Sequence, residues 1–514
     1  MDGYLFKKII LEKQYRETTG KRFFLIYMDN NKEKTLLNNL FAKGQLYLKK
    51  NNPKQAIINF KKILAFRPKN PQVLNLIGIA FHQKSDFDKA VYYATKAIKF
   101  ETKEIGFHIN LGNIFKDMKN FSASLKAYDD ALKINKNSVD ALYNMGVLFT
   151  EQNDHAHAVT YYEKVIQLNR NHKYSLDNLG NSYTELSRFD EAIASYNKAI
   201  SIDPNFIQAQ FNLGLLLLLT NSLKLGWEQY EYRLKKESYI KNRPFLNYKY
   251  WDGSNLDNKK LLIYCEQGIG DSVQFSRYIK NIKKNNTLII LLCSNTLKVL
   301  YKHFIEIDLI ITSNKDAPEI DYYVSIMSLP YIFRNKKIPE TYRFIKANKK
   351  LSINWQSKIS STTKMKIGLV WQGGINHASD YKRSIALNKF NPILCLKDFE
   401  FISLQKDFGR EQIKSNKLKG YITDFSDDIK TFQETIALIE NLDLVISVDT
   451  AIAHIAATMG KETWILLPFV PDFRWGLNQS TTSWYKTVKL FRQKKTNQWE
   501  QVIKEVKKKL LQII

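Results

Sequence analysis

The sequence predicts an α-helical solenoid of six repeats followed by an α/β part built of two consecutive parallel-sheet lobes, the first of them reduced. Three observations predict this. Gly44, Gly78, Gly112, Gly146, Gly180 and Gly214 recur every 34 residues, and a fixed period of that length marks a stacked array of helical units. The register stops after Tyr230. From Leu261 onward short apolar runs alternate with amphipathic stretches, the pattern of strands and helices around a parallel sheet. At 514 residues the chain has room for roughly three or four domains, so a second unit must follow the array.

A glycine inside a helix costs about 0.8–1 kcal/mol relative to alanine, so six at one position require a return, and close helix-to-helix approach is the expected one. Tyr47, Phe81, Phe115, Phe149, Tyr183 and Leu217 lie three residues after each glycine, and Ala56, Ala90, Ser124, Ala158, Ala192 and Gly226 lie twelve after. Sixteen after stand Phe60, Ala94, Tyr128, Tyr162, Tyr196 and Tyr230. Small residues at two positions and mostly bulky ones at two others describe a helix pair whose knobs fill the holes of the next. This register resembles the tetratricopeptide repeat, in six contiguous copies. The expected division is an N-terminal extension over 1–36, six repeats over 37–240 and a connector over 241–260, polar and aromatic with Pro244 and Gly253.

A first α/β lobe is expected over 261–350, with strands at Leu261–Cys265, Thr287–Leu292 and Asp308–Thr312. A second, over 351–514, starts its strands at Lys366–Trp371 and continues through Phe401–Leu404, Leu442–Val448 and Thr463–Leu467, with helices near Thr431–Glu440 and Ala451–Met459. Two such units in series place a cleft where their strand ends face each other.

The formal charge of +28 invites a nucleic-acid reading, because clustered lysines neutralise phosphates and release counterions. Here the lysines are spread over the chain and greatly outnumber arginine, while Asn and Ile are also abundant. That is the composition of solvated surfaces encoded by an AT-rich sequence, and no helix-turn-helix, zinc-finger or RNA-binding signature accompanies it. Attraction to an anionic substrate or membrane surface is the other use of such charge. Cys265, Cys293 and Cys395 are isolated and odd in number, which suggests no disulfide framework or metal set and fits a reducing, cytoplasmic setting. The apolar run Phe23–Met28 is short for a signal peptide, and Leu213–Leu219 is too short to cross a bilayer.

Four segments carry candidate chemistry. Glu266-Gln267-Gly268-Ile269-Gly270-Asp271-Ser272 follows a strand and opens a helix; Gly268 and Gly270 would let backbone approach a ligand, and Asp271 is either a helix cap or a base facing the cleft. Ser447 to His454 repeats the strand, turn and helix order. There Asp449 and Thr450 can cap the helix and turn its first N–H groups, with Ala451, toward a phosphate, while His454 is either a packed residue or a ligand contact. In the loop after Trp371-Gln372-Gly373-Gly374, Lys382 and Arg383 either clamp a diphosphate or belong to the lysine-rich surface. Pro468 to Trp475, containing Asp472 and Arg474, walls a nucleobase pocket or seals the core. His155 and His157 are two apart on a predicted helix and do not share a face, so no metal site is expected.

Together these segments resemble the C-terminal part of bacterial repeat proteins that carry a glycosyltransferase domain similar to the heptosyltransferases (glycosyltransferase family 9), with two Rossmann-like lobes of GT-B type. The resemblance rests on Gln267 to Asp271, Gly368-Leu369-Val370-Trp371, Arg383-Ser384, Ser403-Leu404-Gln405, Leu442 to His454 and Leu466 to Trp475, with Gly226-Trp227-Glu228 and Tyr230-Glu231 before them. It implies transfer of a sugar from a nucleotide-diphosphate donor without a bound metal or other cofactor. It implies further that Asp271 is the base, that Asp449, Thr450 and Ala451 hold the diphosphate, and that Lys382 or Arg383 neutralises it. The short first lobe departs from that pattern, and that lobe usually supplies the acceptor site.

Asn110, Asn144, Asn178 and Asn212 each stand two residues before a repeat glycine, a position expected on the concave surface. A ladder of amides there suits a peptide backbone read without regard to sequence, and it resembles the ladder in the repeat arm of O-linked N-acetylglucosamine transferase. The alternative is that exposed asparagines are simply common in this chain. The expected function is therefore a cytoplasmic glycosyltransferase whose repeats bind a protein or peptide acceptor. The other readings are transfer to a lipid-linked or polysaccharide acceptor with peripheral contact at the inner membrane, and a repeat scaffold with an inactive transferase domain.

Overall fold

In a computed structural model of the chain, the described residues are 30–513 apart from 246, 283–284, 335–336, 341–342, 360–362, 375–378, 416–417 and 419. The expected N-terminal extension lies mostly outside them, with its apolar run at 23–28. The chain divides into two compact units, and the division falls between Ile202 and Asp203.

In the first unit the described residues form helices α1 (Asn30–Lys49), α2 (Pro53–Phe66), α3 (Pro71–Gln83), α4 (Phe87–Phe100), α5 (Ile105–Asp117), α6 (Phe121–Ile134), α7 (Val139–Glu151), α8 (His155–Leu168), α9 (Lys173–Glu185) and α10 (Phe189–Ile202). Helix α1 thus starts seven residues before the expected repeat boundary. Asparagine and short polar residues cap the helix starts: Asn52, Asn70, Asn120, Ser138 and Asp154 each accept from a backbone N–H in the first turn. The turn inside each pair holds one residue in the left-handed region, at Asn51, Ser85, Lys119, Asn153 and Ser187. The 34-residue period is therefore written in the backbone as well as in the side chains.

The repeat glycines are used in two ways. A Cβ on Gly112, Gly146 or Gly180 would stand 2.3–2.5 Å from a ring carbon of Tyr128, Tyr162 or Tyr196, and Gly44 meets Phe60 in the same way. At Gly78 the residue sixteen later is Ala94, no ring intervenes, and the nearest atoms are backbone, Ala94 N at 3.2 Å. Close approach of helices, the expected return, holds at Gly78. At Gly44, Gly112, Gly146 and Gly180 the glycine makes room for a buried ring, whereas Gly214 in the second unit again meets backbone, Tyr230 N at 2.7 Å. Bonds between residues 35 apart then join successive pairs: His82 Nε2 to Asp117 Oδ2 at 2.8 Å and Lys116 Nζ to Glu151 Oε1 at 3.0 Å.

The second unit opens with a further helix pair, α11 (Ile207–Leu219) and α12 (Leu223–Tyr230), then a 3₁₀ segment (Glu231–Lys235) and a short helix (Glu237–Asn242). Two sheets follow. The first contains β1 (Lys249–Tyr250), β2 (Lys260–Tyr264), β3 (Leu288–Leu292), β4 (Leu309–Ile311) and β5 (Tyr322–Ser325), in the order β1-β5-β2-β3-β4 and parallel throughout. The expected connector thus supplies an edge strand, β1; at two residues it has no period for a sequence pattern to reveal.

The second sheet is β11-β12-β10-β9-β6-β7-β8, with β6 (Met365–Val370), β7 (Phe399–Ser403), β8 (Thr423–Asp424), β9 (Leu444–Val448), β10 (Thr463–Leu467), β11 (Thr481–Thr482) and β12 (Tyr485–Arg492). All its pairings are parallel except that of β11 with β12. The helices that bear on the site are α13 (Ile269–Phe275), α14 (Phe432–Glu440), α15 (Ala451–Met459) and α16 (Trp499–Leu510). The apolar side of α16, Trp499, Val502, Ile503, Val506 and Leu510, is buried in the core of the second sheet with Leu369, Ile446 and Trp464. Among the described residues, no helix is long and apolar enough to cross a membrane.

Candidate functional site

Each sheet reverses its strand order once. In the second, β6, β7 and β8 run outward one way and β9, β10 and β12 the other, so the crevice beyond β6 and β9 is the switch point at which parallel sheets bind ligands. The loops leaving those two strands carry Gln372-Gly373-Gly374 and Asp449-Thr450. Arg383 holds them together: its Nη1 donates to the Asp449 carbonyl at 2.8 Å and its Nε to Asp380 Oδ1 at 3.1 Å. Ser384 completes the corner, donating to Asp380 Oδ2 and accepting from the Gly373 N–H. Gly373 lies so close that a Cβ there would be 2.1 Å from Asp380 Oδ1.

Thr450 is the N-cap residue of α15, but its hydroxyl pairs with Ser447 Oγ at 3.0 Å rather than with the helix N–H groups. Asp449 turns inward. Its Oδ1 is 3.7 Å from His454 Nε2. Burial opposes its charge most strongly, yet His454, the Trp475 indole and Arg474 together hold the Asp449 carboxyl below the usual range. Ala451 begins the helix beside them.

The start of α13 packs against the start of α15. A Cβ on Gly270 would be 2.7 Å from His454 Cδ2 and 3.4 Å from Ala451 Cα, so this glycine serves helix contact and not ligand approach. Gly268 is the N-cap of α13, and its N–H donates to Asp271 Oδ2 at 3.0 Å. Asp271 therefore is a cap. Its other oxygen, Oδ1, is ion-paired with Arg474, whose Nη1 also reaches Asp472 Oδ1 at 2.6 Å. Arg474 is largely buried and sits over the Phe473 ring at 4.4 Å; burial disfavours its charge, but Asp472 and Asp271 more than compensate and raise its pKa.

Several expected contacts are corrected by this geometry. His454 is buried, with Nδ1 3.0 Å from the Tyr485 hydroxyl and its ring stacked on Trp475 at 5.3 Å, so it is a packing residue. Trp475 is 1% exposed and seals the core instead of walling a nucleobase. Two donor nitrogens of Arg383 are committed to the protein, so the residue shapes the crevice. Lys382, half-buried in the Asp380–Arg383 turn, places its Nζ 5.7 Å over the Tyr381 ring.

Sequence reasoning missed a second cluster, at the switch point of the first sheet between β2 and β5. Arg233, 2% exposed, donates from Nη2 to Glu266 Oε1 at 2.8 Å and to Ser328 Oγ at 2.7 Å, and pairs through Nη1 with Glu231. The nearby Tyr230 hydroxyl accepts from Gln267 Nε2 at 2.9 Å. Trp227 contacts the rings of both Phe275 and Phe473. The run from Trp227 to Arg233 thus joins α12 to both sheets. The sole sequence signal was the Gly226-Trp227-Glu228 and Tyr230-Glu231 run.

The amides expected to form a ladder are all half-buried. Asn110 Nδ2 donates to Asn75 Oδ1 at 3.1 Å, Asn144 Nδ2 to the Asp140 carbonyl at 2.8 Å and Asn178 Nδ2 to the Tyr143 hydroxyl at 3.3 Å. In the second unit Asn212 Oδ1 accepts from Gln208 Nε2 at 2.9 Å.

A helical repeat unit followed by parallel sheets with a glycine-lined switch point defines a repeat protein with an α/β domain. Known families agree: tetratricopeptide-repeat profiles match residues 41–102, 112–153, 139–172 and 180–220, and the profile of glycosyltransferase family 9 (heptosyltransferase) matches 430–498. The chain is a tetratricopeptide-repeat protein with a glycosyltransferase family 9 domain in its C-terminal part. Its repeats are of a kind that mediates protein interaction, and its C-terminal family transfers glycosyl groups. Protein FlbA of Caulobacter vibrioides is 23% identical over 318 residues, covering 57% of this chain and 53% of FlbA. The matched stretch thus spans about half the length of that relative. Among solved structures, MamA (23% identity, TM-score 0.29) aligns over 35% of this chain and 97% of its own. PilF of Pseudomonas aeruginosa (16%, TM-score 0.36) aligns over 40% and 96%.

Proposed function

We propose that the protein transfers a sugar from a nucleotide-diphosphate donor to a hydroxyl of a protein or peptide held by the repeats, with no metal ion required. The observation that carries this reading is the ion pair of Asp271 with Arg474, which joins the loop after β2 to the loop after β10 beside the start of α15. The donor's diphosphate belongs at the switch point of the second sheet, against the first N–H groups of α15, where a helix N-terminus favours negative charge. Lys382 adds a further positive charge beside the loop that leaves β6.

An aspartate paired with arginine is a poor base, and the same pairing suggests how it is released. A diphosphate drawing Arg474 toward itself leaves Asp271 free to take the acceptor hydroxyl's proton. That oxygen then bonds to the anomeric carbon as the bond to the diphosphate breaks, and the nucleoside diphosphate departs with the electron pair. Charge growing on the leaving group is met by Arg474 and the helix terminus more strongly in the transition state than before it.

A thermal-shift screen of nucleotide sugars identifies the donor. With that donor, Asp271→Asn keeps the cap to Gly268 and is expected to lower turnover about 10²–10⁴-fold while donor binding persists; a folded variant with unchanged turnover overturns the role. For the acceptor, the amides of Asn110, Asn144 and Asn178 each have two donor hydrogens and an oxygen, so a bond within the array leaves capacity for a bound backbone. Asn144→Ala combined with Asn178→Ala is expected to weaken acceptor binding alone. Equal loss of nucleotide binding counts against the ladder.

A further inference from the structure

Basic residues are spread over the whole chain, yet within the first unit their excess is confined to one end. Residues 30–100 hold 14 Lys and Arg against 3 Asp and Glu, whereas residues 101–202 hold 11 against 13. Such an asymmetry inside one body is the mark of contact with an anionic polymer or surface.

The second helix of each pair shows where the charge is displayed. One side of α2 is buried through Ala56, Ile57, Phe60 and Ile63. The other presents Lys54, Ile58, Lys61 and Lys62, all exposed and spaced so that they share a helix face. Ile58 is 47% exposed. One repeat further on, α4 buries Ala90, Ala94 and Ala97 and presents Tyr92 and Lys99, with the half-buried Lys96 between them and Asp88 at the near end. Tyr92 is 56% exposed, and Lys96 Nζ lies 5.5 Å over its ring. The ion pairs within these helices and their loops, Arg67 with Glu33 and Lys89 with Asp86, leave all five lysines without a carboxylate among the described residues.

The later pairs provide the contrast. At the places of Ile58 and Tyr92, α6, α8 and α10 carry Lys126, Thr160 and Ala194. At the places of Lys61 and Lys62, α6 carries Asp129 and Asp130, and α8 carries Glu163 and Lys164. Exposed apolar side chains set among unpaired lysines thus belong to the first two pairs and not to the repeat register.

That combination selects the partner. Nucleic acid pairs with lysines and stacks its bases on tyrosine, but it has no use for an aliphatic side chain standing among the charges. A bilayer containing anionic lipid uses both: clusters of about four to eight basic residues are drawn to its headgroups, tyrosine rests at the headgroup level, and a protruding isoleucine enters the acyl boundary. We propose that the outer faces of α2 and α4 dock this protein peripherally on an anionic lipid surface. The surface stands whether or not the second unit transfers a sugar.

The test titrates the full chain with vesicles of phosphatidylcholine alone or mixed with phosphatidylglycerol, and separately with a DNA duplex. Binding to the mixed vesicles alone, weakened by salt, is expected. Each lysine at a charged bilayer is worth roughly a factor of five, so Lys61→Gln combined with Lys62→Gln should lower vesicle affinity about 20-fold. Lys164→Gln combined with Lys198→Gln takes the same net charge from α8 and α10, beyond the screening length of about 10 Å, and should change it by no more than about two-fold. Ile58→Ser combined with Tyr92→Ser keeps every charge and should weaken vesicle binding about ten-fold while duplex binding is unmoved. Equal affinity for the two kinds of vesicle, an unchanged Lys61 and Lys62 variant, or an equal loss in the two lysine variants each overturns the assignment. So does vesicle binding that ignores the loss of Ile58 and Tyr92, and if the duplex then depends on Lys61 and Lys62, nucleic acid is the partner of this face.

Discussion

The two sheets of the second unit share a topology at their switch points and use it in opposite ways. Between β2 and β5 the crevice is occupied by the protein's own charges, with Arg233 saturated by Glu231, Glu266 and Ser328. Between β6 and β9 the space is bordered by Gly373 and Gly374, and the arginine present, Arg383, bonds mainly to the loops that form the border. The lesson is that a strand-order reversal offers a crevice and the side chains decide whether it is a joint or a receptor. Here the first fastens α12 to the sheets, and the second is where the proposed function puts the donor nucleotide.

The largest test of that contrast is Arg233→Met. It strands the buried Glu266 and the partly buried Glu231, and removal of one partner from a buried pair costs about 3–5 kcal/mol. A fall of that size in urea-unfolding free energy, with much of it recovered when Glu231→Leu and Glu266→Gln are added, marks the first crevice as a joint. A loss below about 1 kcal/mol breaks the comparison.

Gly373→Ala comes next. Its Cβ would press on Asp380 Oδ1 and stand 2.6 Å from Arg383 Nη2, so the corner must open at a cost of about 1–3 kcal/mol. Thermal-shift stabilisation by the donor nucleotide should vanish with it. Retained nucleotide binding would place the ligand elsewhere.

Acid should act on the two crevices with opposite sign. Asp449 has a folded pKa held below its unfolded value of about 3.9, so its stabilisation is present above that pH and disappears as pH falls through the folded value. Glu266 is raised, chiefly by burial, so its favourable contribution is present below about pH 4.3 and is lost as pH rises through the folded value. Unfolding curves between pH 3 and 7, roughly the span that brackets both groups, should show Asp449→Asn losing most relative to the parent at the upper end. Glu266→Gln should show the reverse slope. Parallel profiles for the two variants contradict the assignment.

What the sequence revealed follows from how far apart the interacting residues are. The 34-residue register, the strands β2, β6, β9 and β10 and the helix Ala451–Met459 were legible because each depends on a local period or on small residues at a fixed spacing. The exchange of ring for backbone at Gly78 was present in the pairing with Ala94, but only packing gives it meaning. Strand β1 is too brief for a pattern, and β12 and α16 follow a loop whose aromatic residues drew attention to chemistry instead. The pair of Asp271 with Arg474 joins residues 203 apart, and the Arg233 cluster draws on 3₁₀, loop and strand ends, so no spacing announced either. His454 illustrates the converse: a motif position that looks chemical is filled by packing once Trp475 arrives from the 3₁₀ segment after β10 and Tyr485 from β12.

The smallest expected effect sharpens the receptor side most finely. Gly374 neighbours Gly373, yet a Cβ there meets no atom of the described residues within 4 Å, and its backbone is not in the left-handed region. Alanine fits the folded state and restricts the unfolded chain, which stabilises by about 0.4–1 kcal/mol at a compatible site. If only the first glycine shapes the crevice, Gly374→Ala should raise the melting temperature slightly and bind the donor nucleotide as the parent does. Loss of nucleotide binding in a variant of undiminished stability has a different meaning: the open space over Gly374 is where the ligand lies, and the receptor extends one residue further along the loop than its corner at Asp380 and Arg383.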